Sequence, residues 1–217
     1  MNSYILSELE KKYRLVPRDM GDLAEIRSGL TRFSCRTCRI EGIGNLFFID
    51  MKAAFGLMKM ETAVLTPTAR DLSFCNFDAV HAMGNDTLIF EMYRTCIRET
   101  DLSALDAVKR SADDLPGYTP APRWYDAYKL SPCTAKKGRR AAQAHDALMR
   151  RFLDAYLALL DAAPECDEDE KLAAVRPYVD RLLAEGGMAV DGMKRMIGEE
   201  KTARLVREFM YGVGGAQ

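Results

Sequence analysis

The sequence predicts an α+β protein, with a strand-rich part over residues 33–96 followed by a helical part over 102–212. In the first part, apolar and polar residues alternate as in half-buried strands, and short connections between the strands favour antiparallel pairing. In the second part, apolar residues recur at helical spacing, with little of the strand–helix alternation that builds parallel sheets. We therefore expect one domain over residues 1–217, built on an antiparallel sheet with helices packed against it.

The predicted strands are separated by residues that end pairing or reverse the chain. Thr66-Pro67 ends one strand, because proline lacks the backbone donor that a ladder needs. Gly84-Asn85-Asp86 is typical of a short hairpin turn, since glycine and asparagine tolerate positive φ. Five strands are predicted in meander order, over residues 33–40, 46–50, 57–67, 72–83 and 87–93.

Helices are predicted before and after these strands. An amphipathic pattern covers residues 3–13, and a weaker one covers Asp19 to Leu30. The strongest apolar stripe runs from Ala141 to Ala163, and we interpret the basic run Lys136–Arg140 before it as the solvated start of this helix. The other helical segments are predicted over 102–109, from 171 to a stop at Gly186-Gly187 with Pro177 interrupting, over 190–197 and over 199–211, with a proline-containing linker over 113–123.

Composition argues against several classes of protein. Lys plus Arg total 31 and Asp plus Glu 32, and the net charge of -1 does not suit a nucleic-acid binder. No stretch approaches the ~18 apolar residues of a membrane span, and the first residues lack the pattern of a signal peptide. We therefore expect a cytoplasmic protein with no nucleic-acid or membrane partner.

Histidines and cysteines offer little for catalysis or metal binding. The chain has only 2 histidines, so a histidine-based triad is poorly supplied. Its 6 cysteines are expected to be free thiols in a reducing compartment. Cys35 and Cys38 are formally CxxC, but residues three apart on a strand face opposite sides, so no metal site is predicted.

Three acids lie inside the apolar strands, namely Glu61, Asp78 and Glu91. Alternation places Asp78 on one face with Asn76 and Val80. A carboxyl group among apolar neighbours loses hydration, which raises its pKa and suits it to donate a proton near neutral pH. The alternative interpretation is that these strands have one solvated face and the acids simply lie on it.

Four stretches, taken in order, resemble one protein family. The first is the strand that ends in a proline bend, and the second is the strand with a central aspartate and the apolar hairpin after it. The third begins at Trp124-Tyr125, and the fourth contains the closing helices. They are Met60–Pro67, Asp71–Asp78 with the hairpin to Tyr93, Trp124–Pro132, and Val175–Gly212. Together they are similar to the ferredoxin-dependent bilin reductases.

This resemblance implies a three-layer α/β/α sandwich with a central antiparallel sheet and C-terminal helices. It implies an open-chain tetrapyrrole, such as biliverdin, bound between the sheet and those helices. It also implies electrons from reduced ferredoxin or flavodoxin and no tightly bound cofactor. Asp78 matches the family's aspartate and would be the principal proton donor.

The other predicted site residues are less direct matches. Glu61 stands where some members have a histidine, and Asp191 is the acid nearest to the family's second polar position. Both are predicted to take part in catalysis. The residues expected to bind the substrate are Asn76, Glu91, Lys136, Lys137 and Arg139. If the basic run is not simply a solvated helix start, its lysines and arginines could bind the propionates or an acidic ferredoxin.

Two other functions stay open at this point. The departures at Glu61 and Gly186 are compatible with a non-catalytic tetrapyrrole carrier on the same scaffold. A sheet-and-helix interaction domain without a small ligand would instead require Asp78 to face water.

Overall fold

A central antiparallel sheet lies between two layers of helices in the computed structural model, which describes residues 1–214 apart from the side chain of Met188. The strands pair in the order β1-β3-β4-β5-β6-β7-β8, and β2 pairs with the other half of β3. The predicted three-layer sandwich is confirmed. The strands are β1 Leu15–Arg18, β2 Glu25–Ser28, β3 Thr31–Ile40, β4 Gly44–Ala53, β5 Met58–Pro67, β6 Cys75–Ala82, β7 Asn85–Met92 and β8 Thr134–Arg139.

Each face of the sheet buries its own apolar cluster. One cluster joins the sheet to α1, α2 and α3, through residues such as Phe48, Phe77 and Phe152. The other joins it to α4 and α5, through residues such as Phe47, Val64 and Val179. The helices are α1 Asn2–Lys12, α2 Ser103–Arg110, α3 Ala142–Ala162, α4 Glu168–Glu185 and α5 Met188–Arg204, and the turn Leu205–Met210 continues α5.

Alternation predicted the faces of the central strands correctly. Cys35 belongs to the cluster under α4 and α5, while Cys38 belongs to the cluster under α1 and α3, so the two thiols lie on opposite sides of the sheet. All six cysteines are free. The hairpin after β6 is tighter than predicted: Met83 and Gly84 have φ of 52° and 76°, and Asn85 already belongs to β7.

Two predicted helical segments are strands instead. Residues 19–30 form only a short turn, Gly21–Leu23, followed by β2, whose Ile26 is buried against β3. The basic run expected to begin a helix is β8, which extends the sheet beside β7. β2 pairs with the strand that follows it through a short turn, and β8 pairs with the distant strand β7. In both cases strand pairing satisfies the backbone, and local helical propensity is too weak to compete.

The closing helices differ from prediction in one detail. Pro177 does not interrupt its helix, because α4 runs continuously past it to Glu185. Gly198 does divide the last helix, as expected, with φ of 81° and ψ of 168°. No helix within residues 1–214 is long and apolar enough to cross a membrane.

Candidate functional site

Asp78 lies near the middle of β6, on the face of the sheet that is covered by α4 and α5. Antiparallel pairing sets Thr62 of β5 and Ile89 of β7 directly beside it. The Thr62 hydroxyl donates a short hydrogen bond to Oδ1 of Asp78, and Nδ2 of Asn76 donates to Oδ2 at 2.6 Å. Both carboxyl oxygens are therefore held in fixed positions.

The surroundings of Asp78 favour its protonated form. Burial is the largest influence and raises its pKa to about 6, and the nearby charge of Glu91 acts in the same direction. The hydrogen bonds from Thr62 and Asn76 oppose this rise, because they stabilise the carboxylate. A group with such a pKa can both release and regain a proton near neutral pH.

This raised pKa predicts a pH-dependent stability. Above pH 6, Asp78 is ionised in the folded chain, and the burial of this carboxylate lowers stability. As the pH falls from 6 towards 3.8, Asp78 becomes protonated in the folded chain while it is still ionised in the unfolded chain, so stability rises. The rise from 3.8 to about 6 corresponds to about 3 kcal/mol. We expect Asp78→Asn to be more stable than the wild type by up to about this amount at pH 8 and by little at pH 4. Urea unfolding at both pH values measures this, and equal differences at the two would contradict it.

Glu91 and its partners form a polar wall beside Asp78. Glu91 is next to Asn76 across the strands, and it accepts a 2.7 Å contact from Nζ of Lys129. It also accepts a short hydrogen bond from the hydroxyl of Tyr93. Burial, with the charges of Tyr178 and Glu91, raises the pKa of Tyr93 far above its usual value. Tyr93 therefore stays a hydrogen-bond donor at neutral pH.

Aromatic rings from four parts of the chain meet on the same face. Tyr93 and Tyr178 have ring centroids 4.8 Å apart, and Phe74 lies 5.0 Å from both Tyr178 and Tyr211. Burial, with the charge of Asp78 among the smaller causes, raises the pKa of Tyr211. These four rings are almost fully buried, so they form a rigid apolar core beside the site.

The residues predicted to bind the substrate lie in three different environments. Asn76 and Glu91 lie on the Asp78 face, and Oδ1 of Asn76 is buried without a hydrogen-bond partner among the described residues. Lys137 and Arg139 alternate onto that face from β8 and are exposed. Lys136 points to the opposite face, where it is buried and donates to the carbonyl of Leu115 at 3.0 Å.

The structure does not bring Glu61 together with Asp78. Thr62, not Glu61, pairs with Asp78, so Glu61 projects from the other face of the sheet. There its carboxylate accepts hydrogen bonds from the amine of Met1 at 3.1 Å and the backbone nitrogen of Asn2 at 3.0 Å. Asp191 lies in the first turn of α5 beside Gly186, with its side chain exposed to solvent.

This placement predicts the behaviour of Glu61→Gln. The amide keeps the shape but weakens the contacts to the first turn of α1, so we expect a loss of about 1 kcal/mol in the free energy of unfolding. The predicted proton donation by Asp78 should be unaffected, because the sheet separates the two side chains. Urea unfolding measures the first effect and turnover the second. A large fall in turnover at unchanged stability would show that Glu61 takes part in the reaction.

Sequence reasoning missed three side chains of this site. Thr62 and Lys129 were not singled out, and Tyr93 was noted only as part of a motif. Thr62 is identified by the register of β5 against β6, which alternation alone does not specify. Lys129 follows a helical turn, Trp124–Tyr128, and reaches Glu91 only through the tertiary fold.

The fold and this site together define a class of architecture: an α/β/α sandwich with a half-buried aspartate between its antiparallel sheet and its C-terminal helices. The same fold occurs in the crystal structure of phytochromobilin synthase from tomato in complex with biliverdin, with a TM-score of 0.78 and 14% sequence identity. That comparison covers 100% of this chain and 84% of the tomato chain. No protein-family model and no curated protein sequence matches this chain.

Proposed function

We propose that this protein reduces an open-chain tetrapyrrole of the biliverdin type, with single electrons from reduced ferredoxin or flavodoxin and a proton from Asp78. The observation that carries the proposal is the environment of Asp78, whose pKa is about 6, in a fold shared with a protein that was solved with biliverdin. Reduction of one double bond adds two electrons and two protons. An acid that is half protonated at about pH 6 exchanges its proton readily near neutral pH and can supply one of those protons.

The side chains around Asp78 suit such a ligand chemically. A linear tetrapyrrole is flat and conjugated, carries pyrrole N–H donors, and has carboxylate side chains. The unpartnered Oδ1 of Asn76 and the carboxylate of Asp78 are acceptors for N–H groups. The half-buried rings of Trp124 and Tyr125, which pack against Tyr178 and Tyr93, offer ring surfaces.

The carboxylate side chains of the ligand require cations on the same side of the sheet. Lys137 and Arg139 are exposed there, on the edge strand β8. Lys136 is left out of this role, because it is buried on the other face. Asp191 is kept as a second acid at the rim, where it would act only if the ligand extends to α5. No tightly bound cofactor is part of the proposal.

A visible-absorption titration with biliverdin tests the proposal, followed by anaerobic addition of a ferredoxin-reducing system. We expect a shifted bilin spectrum that bleaches into new bands, and the product identifies the bond reduced. A shifted spectrum that persists would indicate the non-catalytic carrier. No shift at all would limit the similarity to the fold.

A further inference from the structure

The turns of several hairpins lie together at one end of the sheet. Pairing places Arg32, Lys52, Lys59, His81 and Asp86 in one row across five neighbouring strands. The turns just beyond this row, at residues 29–30, 54–57 and 83–84, therefore lie along one edge. At about 4.8 Å between strands, the row is roughly 20 Å wide.

Large apolar side chains project from these turns into solvent. Phe55 and Met83 are each 90% exposed, Leu57 is 71% exposed and Leu30 is 63% exposed. Of the large apolar residues that are exposed in the described chain, only Val16 and Tyr118 lie away from this edge. We call this edge, with Leu30, Phe55, Leu57 and Met83, the hairpin-tip surface. Apolar groups concentrated in this way indicate an interaction surface.

The backbone at these tips is unfavourable for the residues that occupy it. Non-glycine residues with positive φ within residues 1–214 are Ala54, Phe55, Met83 and Arg140, at φ of 48°, 57°, 52° and 54°. All of them lie at this edge. Glycine, asparagine or aspartate would fit such turns better, so turn stability does not explain Phe55 or Met83. Their side chains must be explained by what they contact.

Basic side chains surround the apolar tips. Arg27, Lys52, Lys59, Arg139 and Arg140 are exposed at this edge, and none of them forms an ion pair within residues 1–214. The acids nearby are already engaged: Glu25 pairs with Arg32 at 2.6 Å, and Asp86 contacts His81 at 2.8 Å. The edge is therefore positive, although the chain as a whole has a net charge of -1.

We propose that the hairpin-tip surface docks on an anionic lipid bilayer. Apolar side chains on separate tips can each enter the boundary between headgroups and acyl chains, while the surrounding lysines and arginines contact anionic headgroups. An acidic protein would match the charge, but it would need one continuous surface to cover tips that project separately. Peripheral docking needs no membrane-spanning helix. It departs from the sequence expectation of no membrane partner, and it does not depend on the proposed reaction.

The test is co-sedimentation of the full chain with vesicles. Vesicles of phosphatidylcholine with about 30% phosphatidylserine should bind the protein, and vesicles of phosphatidylcholine alone should bind it far less. Binding should weaken at high salt, because the charges are exposed. Absence of sedimentation with the anionic vesicles, or equal binding to both kinds, would overturn the proposal. An acidic protein would then be the better candidate for this surface.

Two pairs of substitutions assign the binding to the tips. Phe55→Asn with Met83→Asn removes apolar groups while placing a residue that tolerates positive φ, and should weaken binding at least about tenfold without loss of stability. Lys52→Gln with Lys59→Gln should weaken it about 25-fold, at about fivefold for each charge. Val16→Thr and Arg176→Gln, exposed elsewhere, are the matched controls. Unchanged binding in both tip variants would contradict the proposal.

Discussion

Replacing Asp78 with asparagine is expected to lower the proposed bilin reduction by about 10²–10⁴-fold while leaving bilin binding within a few fold. Asparagine keeps the size of the side chain and an oxygen that can accept the hydrogen bond from Thr62. It cannot release a proton at neutral pH, so only the proton-transfer step is lost. Single-turnover absorption changes after reduced ferredoxin is added measure the rate, and the spectral titration measures binding.

Two companion variants separate this effect from general damage. Asp154→Asn makes the same chemical change on the exposed face of α3 and should leave turnover unchanged. Thr62→Val removes a hydrogen bond that lowers the pKa of Asp78, so the pH at which turnover declines should move upward. Normal product formation by Asp78→Asn would exclude this residue from the mechanism.

Replacing Lys171 with methionine is expected to cost about 3–5 kcal/mol of unfolding free energy. Lys171 is 0% exposed, at the start of α4, and its Nζ contacts Oδ1 of Asp71 at 3.2 Å and the carbonyl of Thr95 at 2.6 Å. Burial opposes the ionised carboxylate, but backbone N–H groups of Ile97 and Arg98 and the charge of Lys171 outweigh it and lower the pKa of Asp71. Without Lys171, this buried carboxylate loses its only cation among the described residues.

Urea unfolding followed by circular dichroism measures this loss as a lower midpoint, by about 1–2 M. Lys201→Met is the matched control, because Lys201 pairs with Asp22 in solvent and should change stability by no more than about 1 kcal/mol. Adding Asp71→Asn to Lys171→Met should recover part of the loss, since the uncompensated charge is removed. Equal effects of Lys171→Met and Lys201→Met would show that the buried ion pair contributes no more to stability than the exposed one.

The sequence by itself determined the class of fold and which residues of its own strand share a face with Asp78. Side chains alternate strictly along a strand, so Asn76 and Asp78 share a face whichever strands pair beside them. The same rule separated Cys35 from Cys38. Short connections implied antiparallel neighbours, and the long apolar stripe before Ala163 predicted α3 nearly to its ends. These features depend on neighbours in the chain, and local patterns specify them.

Only the tertiary structure decided which side chains meet Asp78. A shift of one residue in strand pairing exchanges the two faces, and the observed register brings Thr62 beside Asp78 and turns Glu61 away. Lys136 was assigned to a helix, although pairing of β8 with β7 buries it on the opposite face. Lys129 reaches Glu91 from a segment 38 residues further along the chain. Such contacts arise from packing between distant segments, which no local pattern encodes.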